Sequence, residues 1–548
     1  MKFKRAYLEI AAFLAVYFFA VYLWTLPFQN SKIPYGEFDA ISHWELADYP
    51  AQNDRTFVYL PPFIDYSYPE NNKYKPHTLW YHPPFHTDLA MISAFARDRV
   101  VPIYLTNAIF ASSILISVYF VMRKLFGFLP AILSSFLLTF SMRDIMPYLW
   151  GQWPERFAYA FIPLILYCFY MYYTSYSKES SKPVYIYMMS ILIAVNIMIH
   201  PLGFFHSLAG LFVLWIFLLV KHKKLAFNFK HIIISLIIFI ILFAIFPYQT
   251  ASMLKTFAQK DANTKQPPFS RLFQWSFDPK NFGGSVPPSY FSFREMSGNW
   301  TLLSKLGINL NFLMVFLLMG IFVLVIRRQD RDIFLLAWLI SLYLVLHRDF
   351  IGKTNLIHRS LSATAHIFVP ITILGALSIA SFIKARQISQ FLKYGMVLLV
   401  IFLAFKYSMP QAYSTLDTAY DNPLKRLNQA QIDVSEWLKT NTNDQQNVSI
   451  IGPPPELMEK VWWMASISHR VSNFFEGFLT WGRYKNKPEI ASSHLLNDFI
   501  VMDYSDIGLI SDRSYVDKWQ QYEKQNLANH TLLYNKGSIG VYKYESKN

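Results

Sequence analysis

Residues 2–26 read KFKRAYLEIAAFLAVYFFAVYLWTL, a short basic segment followed by an apolar run. The run is long enough to cross a bilayer as one helix, which needs about 20 residues. A basic start before an apolar run is also typical of signal peptides, but no small-residue cleavage site follows here. We therefore expect a retained first transmembrane helix, and similar apolar runs extend this interpretation to most of the chain.

The composition is that of a polytopic α-helical membrane protein with a soluble portion. The 548 residues are 53% hydrophobic and only 16% charged, whereas soluble proteins carry about 25% charged residues. Apolar runs of near-spanning length predict about eleven transmembrane helices. These runs lie at residues 6–26, 101–122, 127–142, 157–175, 184–200, 203–220, 231–249, 309–326, 332–347, 361–383 and 394–407.

Lys and Arg residues predict the orientation in the membrane. The formal net charge is +15, but many of the basic residues lie in short loops between apolar runs rather than on one soluble face. That arrangement fits anionic lipid headgroups and the positive-inside rule, and it argues against a nucleic-acid partner. We expect a multi-pass protein of the cell membrane with a cytoplasmic N-terminus and, for an odd number of helices, an external C-terminal portion.

The chain divides into two predicted domains. Residues 1–407 would form a transmembrane domain with long external loops at 27–100 and 250–308 and a short polar loop at 143–156. Residues 408–548 are more polar and would form a small external α/β domain. Its predicted elements are a helix near 434–439, strands at 448–451 and 498–503, and a hairpin at 532–544.

Residues 34–45, PYGEFDAISHWE, carry the first candidate site, formed by Glu37, Asp39 and His43. They follow the first apolar run, so these ionisable side chains would lie at the bilayer surface, where such groups often have a function. On a helix along the interface, Asp39 and His43 would share a face, and the carboxylate could accept a proton from an attacking hydroxyl. A solvated turn with an incidental ion pair is the alternative.

A second candidate site lies further along the first predicted external loop. His82, with His86 and Asp88, could ligate a metal. The intervening Pro83-Pro84 prevents the helical two-His spacing of many zinc sites. A packed Pro-rich loop is therefore the stronger of the two interpretations.

Three polar residues lie at predicted helix ends on the same side of the membrane. Glu155 would lie in the first turn of a helix, where a carboxylate is favoured by the helix dipole. Arg156 has no such structural explanation and could bind an anion. His200 precedes Pro201 at the junction of two apolar runs, and it is either a polar pocket residue or a helix-end histidine.

One predicted external loop is basic, contrary to the positive-inside rule, and carries Arg348, Lys353 and Arg359. Both residue types bind phosphate groups, and Arg does so in bidentate fashion. A phosphate or diphosphate held near the outer leaflet would explain this loop. Contact with anionic outer-leaflet lipid is the alternative.

Taken together, these motifs resemble the GT-C superfamily of membrane glycosyltransferases, which take a sugar from a polyprenyl-phosphate or polyprenyl-diphosphate carrier. Asp39 occupies the place of the acidic residue that follows the first spanning helix in that superfamily, and His43 follows it as in an archaeal and bacterial branch. The resemblance covers residues 1–407 in layout. Its other motifs are Pro83-Pro84, Gly151-Gln152-Trp153-Pro154-Glu155, His200-Pro201, and the helix at 366–376 that follows Arg359.

Two signatures of the oligosaccharyltransferases within that superfamily are not matched. Their Asp-x-Asp is replaced by Glu37-Phe38-Asp39, an acidic pair at the same spacing, and their Trp-Trp-Asp is replaced by Trp462-Trp463-Met464. These departures argue against an N-glycosylating oligosaccharyltransferase and leave a requirement for a metal open.

The resemblance implies an inverting transfer of a sugar from a polyprenyl-phosphate-linked donor to a glycan, lipid or protein acceptor at the external membrane face. Asp39 would act as the base or orient the acceptor hydroxyl. Glu37 and His43 would support it, or a divalent cation such as Mg²⁺ or Mn²⁺ would be held by Asp39 and Glu37. The substrate site would be completed by Arg348, Lys353, Arg359, Arg156, Glu155, His200 and His82.

Two other functions stay open at this point. A transporter, flippase or polymerase of polyprenyl-linked glycans needs the same phosphate contacts without a base. A transporter more often carries ionisable residues at mid-span and repeated halves, whereas the spans predicted here are nearly free of charge at mid-depth. A scaffold that anchors the external domain would not need Asp39 at all.

Overall fold

A computed structural model shows a bundle of mostly apolar helices with a small mixed sheet near the C-terminus. Among the site residues expected from the sequence, Arg348 and Lys353 lie outside the described part of the chain. The structure describes residues 2–29, 33–53, 61, 63–64, 82–177, 182–258, 312–346, 359–360, 362–382, 385–421, 423, 426–443, 446–452, 458–472, 498–509 and 513–544.

The order of elements along the chain follows the apolar runs. The helical part consists of α1 (Lys2–Gln29), α2 (Phe38–Asn53), α3 (Pro84–Ala96), α4 (Val101–Phe126), α5 (Phe128–Leu138), α6 (Met142–Leu149), α7 (Trp153–Tyr159), α8 (Ile162–Ser177), α9 (Val184–Ile199), α10 (Pro201–His222), α11 (Phe229–Phe243), α12 (Pro247–Ala258), α13 (Phe312–Arg327), α14 (Asp330–Leu346), α15 (Thr364–Ser378), a 3-10 turn (Ile379–Phe382), α16 (Arg386–Leu403), a π turn (Ala404–Ser408) and α17 (Met409–Asp417). The C-terminal part consists of α18 (Gln429–Asn441), β1 (Asn447–Ile451), α19 (Met458–Ser468), β2 (Val471–Ser472), β3 (Phe499–Asp503), a 3-10 turn (Ile507–Leu509), α20 (Arg513–Tyr522), a π turn (Glu523–Leu527), β4 (Thr531–Lys536) and β5 (Ile539–Lys543).

Each predicted apolar run contains a helix, and the chain is a multi-pass membrane protein. Within the described ranges, five helices are long and apolar enough to span a membrane, or up to seven if each bent helix pair is one span. The two bent pairs are α5 with α6, at 43°, and α11 with α12, at 102°. The helices α9, α13 and α15 are apolar but shorter than a full span. The predicted count of about eleven spans is therefore not confirmed.

One local prediction differs from the structure. Residues 143–156, expected to be a short polar loop, instead contain most of α6 and the start of α7. The cause is tertiary packing, because nearly all of the polar side chains of this segment are buried.

The helix that begins at Arg386 continues through the π turn to Asp417, so it passes the predicted domain boundary at 407 without a break. The boundary itself stays a prediction.

The C-terminal sheet has the strand order β2-β1-β3-β5-β4. Strand β1 is parallel to β2 and β3, and β5 is antiparallel to β3 and β4. The strands and the hairpin expected from the sequence are confirmed at β1, β3 and β4–β5. Gly537 lies in the hairpin turn with φ +62°, a conformation that favours glycine.

Helix α2 joins the helical bundle to the C-terminal part through an ion-pair network. The Arg99 guanidinium donates to both carboxylate oxygens of Asp48 on α2, at 2.8 and 2.6 Å, and to the Ile467 carbonyl of α19, at 3.0 Å. It also pairs with Glu436 on α18, and His469 lies 2.9 Å from Asp48. Although burial opposes it, Arg99 and then His469 lower the pKa of Asp48 to about 2.

The Trp462-Trp463 pair packs against the same helix. The ring centroids of Trp463 and Trp44 of α2 lie 5.5 Å apart, and Trp463 Nε1 donates to the Gly36 carbonyl at 3.2 Å. Beside this contact, the Ser466 hydroxyl donates to the Glu45 carboxyl at 2.5 Å. Burial raises the pKa of Glu45 to about 8, against the opposing effect of hydrogen bonds from Ser466 and Trp462. The junction therefore contains a carboxyl group that stays protonated near neutral pH.

Glu45 should make the stability of this junction depend on pH. The folded protein holds the Glu45 proton more tightly than the unfolded chain, so the stabilisation is complete below the unfolded pKa of 4.5 and is lost as the pH rises through about 8. We expect Glu45→Gln, which is uncharged at every pH, to abolish this loss. Thermal unfolding of both proteins in detergent from about pH 5 to about pH 9 measures it.

The wild-type protein should lose on the order of 1–3 kcal/mol relative to Glu45→Gln over that range. Asp517→Asn, which removes an exposed carboxylate of α20, is the control and should follow the wild type. Parallel curves for the wild type and Glu45→Gln would contradict the prediction.

Candidate active site

Two glycines bring the first turn of α2 against the turn between α6 and α7. Gly36 and Gly151 have φ of +120° and +88°, and both lie against Ala40. A Cβ on Gly151 would lie 2.0 Å from the Ala40 backbone nitrogen, and one on Gly36 would lie 2.3 Å from the Ala40 Cβ. Because neither glycine carries a side chain, the two turns can approach closely. Asp39 in the first turn of α2 therefore comes close to Glu155 in the first turn of α7.

Arg359 joins these two acidic residues into a carboxylate–guanidinium cluster of Asp39, Glu155 and Arg359. Its Nη2 lies 2.6 Å from Asp39 Oδ2, and its Nη1 lies 3.7 Å from Glu155 Oε2. The Tyr159 hydroxyl, one helical turn after Glu155, donates to Glu155 Oε1 at 2.7 Å. The side chain of Asp39 is 29% exposed, whereas that of Glu155 is only 2% exposed. Asp39 is thus the carboxylate that a substrate can reach.

Buried histidines surround the cluster. His43 lies one turn after Asp39, and its Nδ1 is 2.9 Å from His86 Nε2. Burial, followed by the charges of His86, His200 and Arg359, holds the pKa of His43 well below its usual value. Burial lowers the pKa of His86 to about 3, and burial with the charge of Arg359 lowers that of His200. These imidazoles are therefore neutral at neutral pH and supply hydrogen bonds without charge.

His200 is oriented by the start of α10. Its Nδ1 accepts a hydrogen bond from the Leu202 backbone N–H at 3.2 Å, so it serves as the helix N-cap. A neutral imidazole that accepts at Nδ1 carries its proton on Nε2. The sequence suggested either a pocket residue or a helix-end histidine; the structure shows the helix-end position, and the role as a pocket residue stays a prediction.

Arg156 belongs to a second, more deeply buried network. It pairs with Asp144 of α6, and its guanidinium lies 4.7 Å from the Trp24 ring centroid. Asp144 also lies 2.8 Å from His366 Nε2 of α15, and Arg143 reaches Thr364 at 3.3 Å. Asp144 and His366 were not among the site residues expected from the sequence. The sequence signal that could have found them is the charged pair Arg143-Asp144 inside an otherwise apolar region.

His82 and Glu37, two further predicted site residues, make separate contacts. His82 lies 2.9 Å from the Thr250 hydroxyl and close to the rings of Phe243 and Phe246, and burial lowers its pKa to about 4. Glu37 accepts two backbone N–H bonds at the start of α2 through its carbonyl. Burial raises the pKa of Tyr420, and the negative charge of Glu37 raises it further.

The residues present do not form an obvious metal site. Within the part of the chain that the structure describes, no group of three or more His, Cys, Asp or Glu side chains could hold a metal ion. The Asp39 carboxylate, a candidate cation ligand together with Glu37, is ion-paired with Arg359. The cluster can therefore position a base beside a fixed positive charge, which suits a reaction that releases an anion.

Comparison with known proteins identifies the fold. No protein-family model matches the chain, and no curated protein sequence matches it. The Archaeoglobus fulgidus oligosaccharyltransferase, tethered with an acceptor peptide, aligns with a TM-score of 0.59 at 14% identity over 100% of this chain and 75% of that one. ArnT from Cupriavidus metallidurans, bound to undecaprenyl phosphate, aligns at 0.53 with 9% identity over 98% of each chain.

A third similar structure is the arabinofuranosyltransferase AftD from Mycobacteria. It aligns with a TM-score of 0.53 and 10% identity over 98% of this chain and 40% of that one. At such low identities the comparisons show the fold alone. The chain has the GT-C fold that its motifs had suggested.

The contact between Gly151 and Ala40 should be essential for the geometry of the cluster. We expect Gly151→Ala to lower the free energy of unfolding by about 1–3 kcal/mol more than Gly127→Ala does, because the added Cβ meets backbone atoms. Gly127 is a matched control, with φ of +96° and no atom within 4 Å of an added Cβ. Thermal unfolding in detergent measures the difference, and equal destabilisation by the two substitutions would contradict this account.

Proposed function

We propose that this protein is an inverting GT-C-type glycosyltransferase that moves a sugar from a polyprenyl-phosphate-linked donor to an acceptor hydroxyl at the external membrane face. The observation that carries the proposal is the Arg359 guanidinium beside the accessible carboxylate of Asp39, at the end of the bundle where helix α19 packs. The fold supports it, because a similar structure contains undecaprenyl phosphate and another contains a dolichol-phosphate.

The chemistry that these residues suit is a single displacement. The acceptor oxygen attacks the anomeric carbon from the face opposite the phosphate, and the bond from that carbon to the phosphate oxygen breaks. Asp39 accepts the acceptor proton, and the lipid phosphate leaves with the bonding electron pair. Arg359 stabilises the negative charge that develops on the departing phosphate.

The neighbouring residues would position this pair. Glu155, held by Tyr159, would orient the guanidinium from its buried side. His43 and His200 would offer neutral hydrogen-bonding groups to the sugar or the phosphate. The buried ion pair with Asp144 makes Arg156 a support for α7 rather than a direct phosphate ligand.

The remaining predicted contacts belong to the edges of the site. Arg348 and Lys353 stay proposed donor-phosphate ligands. Glu37 and His82 would border the site, and the C-terminal domain would shape the acceptor entrance. The acceptor itself would be a glycan, a lipid or a protein.

Removal of the base should abolish transfer without abolishing donor binding. We expect Asp39→Asn to lower the transfer rate by about 10²–10⁴-fold, the range typical for loss of a general base. Arg359 stays in place in this variant, so the donor should still bind. The measurement is transfer of label from radiolabelled polyprenyl-phosphate sugars in membranes, with donor binding assayed in parallel.

Asp517→Asn, which neutralises an exposed carboxylate of helix α20, is the control and should transfer label like the wild type. Transfer by Asp39→Asn at the wild-type rate would defeat the catalytic assignment. Movement of the lipid-linked sugar across the membrane without any transfer would instead favour a flippase or transporter.

A further inference from the structure

Arg359 stands between Asp39 and Glu155, where a divalent cation would stand in a two-carboxylate site. We propose that this guanidinium is the resident cation of the site, so that the reaction needs no divalent metal, and that removing its side chain turns the cluster into a metal site. The part of the inference that concerns the reaction rests on the proposed function, whereas the part that concerns metal binding does not.

The cluster already contains a positive charge, that of Arg359. Two carboxylates and one guanidinium lie together, with the two nitrogens of Arg359 at 2.6 and 3.7 Å from their respective oxygens. A guanidinium does not lose its proton in proteins, so its positive charge cannot be switched off. A divalent cation that entered the same space would be repelled by a fixed charge at contact distance.

The cluster also offers few ligands for a divalent cation. Mg²⁺ requires close to octahedral oxygen coordination at about 2.0–2.1 Å, shorter than the hydrogen bonds observed here. Glu155 Oε1 accepts from Tyr159, and Glu155 Oε2 and Asp39 Oδ2 face Arg359. The described residues supply no third acidic, histidine or cysteine ligand that completes a set.

The guanidinium of Arg359 can make more simultaneous contacts than a lysine ammonium could. Its planar fork carries five N–H donors, so one side chain can contact two carboxylates and a phosphate oxygen at once. An ammonium is a compact point charge without this span. Arg359→Lys keeps the charge, and thereby the exclusion of a metal, but shortens the reach to Glu155.

Without the side chain of Arg359, the two carboxylates would lose their counter-charge. Mg²⁺ and Mn²⁺ are commonly bound by one or two carboxylates together with water and substrate phosphates. Asp39 and Glu155 with the donor phosphate would supply that set of ligands. The Arg359→Ala variant should therefore gain affinity for these ions.

The direct test measures metal binding and does not depend on activity. Purified full-length protein is treated with a chelator, desalted, mixed with undecaprenyl phosphate and titrated with Mn²⁺, and bound and free Mn²⁺ are distinguished by electron paramagnetic resonance. We expect Arg359→Ala to bind one additional Mn²⁺ per chain at least tenfold more tightly than the wild type does. Arg359→Lys and the surface control Lys536→Ala should titrate like the wild type.

The gained site must depend on the cluster. Adding Asp39→Asn to Arg359→Ala should remove the additional Mn²⁺, because only one carboxylate remains. Failure of Arg359→Ala to gain an ion, or a wild-type site that Asp39→Asn abolishes, would overturn the inference. Arg359→Gln, which removes the charge but keeps most of the side-chain volume, should gain the same Mn²⁺ and replaces Arg359→Ala if that variant does not fold.

Transfer assays in the presence of a chelator test the reaction. The wild type should transfer label equally with EDTA and with Mg²⁺, and Arg359→Ala should be slow with EDTA and faster when Mn²⁺ is supplied. Wild-type activity that is lost with EDTA and restored by Mg²⁺ would overturn the inference and leave the proposed function standing. Absence of transfer under every condition would defeat the proposed function, while the Mn²⁺ titration would still decide on the metal.

Discussion

The close approach of the Gly151 and Ala40 backbones is the constraint on which the rest of the site depends. It fixes the start of α2 against the turn before α7, at a distance that no side chain would allow. From that contact, one end of α2 presents Asp39 to Arg359. The remainder of the helix carries Trp44, Glu45 and Asp48 into the C-terminal part. A single short helix therefore contributes both to the geometry of the site and to the packing of the C-terminal part against the bundle.

Burial of charge separates the polar residues into two groups with different roles. Arg156 and Asp144 are both almost completely buried and pair with each other, and breaking such a pair would leave an uncompensated charge in the bundle. Arg359 and Asp39 form a similar pair that remains partly exposed. A substrate phosphate or hydroxyl can therefore exchange partners with the second pair at lower cost than with the first. This difference supports the proposed roles, in which Arg156 stabilises the bundle and Arg359 binds the substrate.

Most elements were predictable from local sequence because they depend on local properties. The length of the apolar runs predicts the helices, and the strands of the C-terminal sheet and the hairpin at Gly537 follow from alternation and turn chemistry. The number of spans was not predictable in the same way. Helix α15 is short, yet it is buried on nearly all sides by its neighbours, and α6 hides charged residues inside the bundle. Whether such segments cross the membrane depends on packing rather than on hydropathy.

The membrane class and the residue types at the helix ends, including Asp39, Glu155 and Arg359 as candidates, follow from the sequence alone. It also presented Arg156, Arg348, Lys353 and Arg359 as equivalent anion ligands. The packing of the helices distinguishes them: Arg359 lies between Asp39 and Glu155, whereas Arg156 is held by Asp144. The physical reason is that the partners in the cluster lie on separate elements far apart in the chain. Their contact depends on how those elements pack, which no local pattern records.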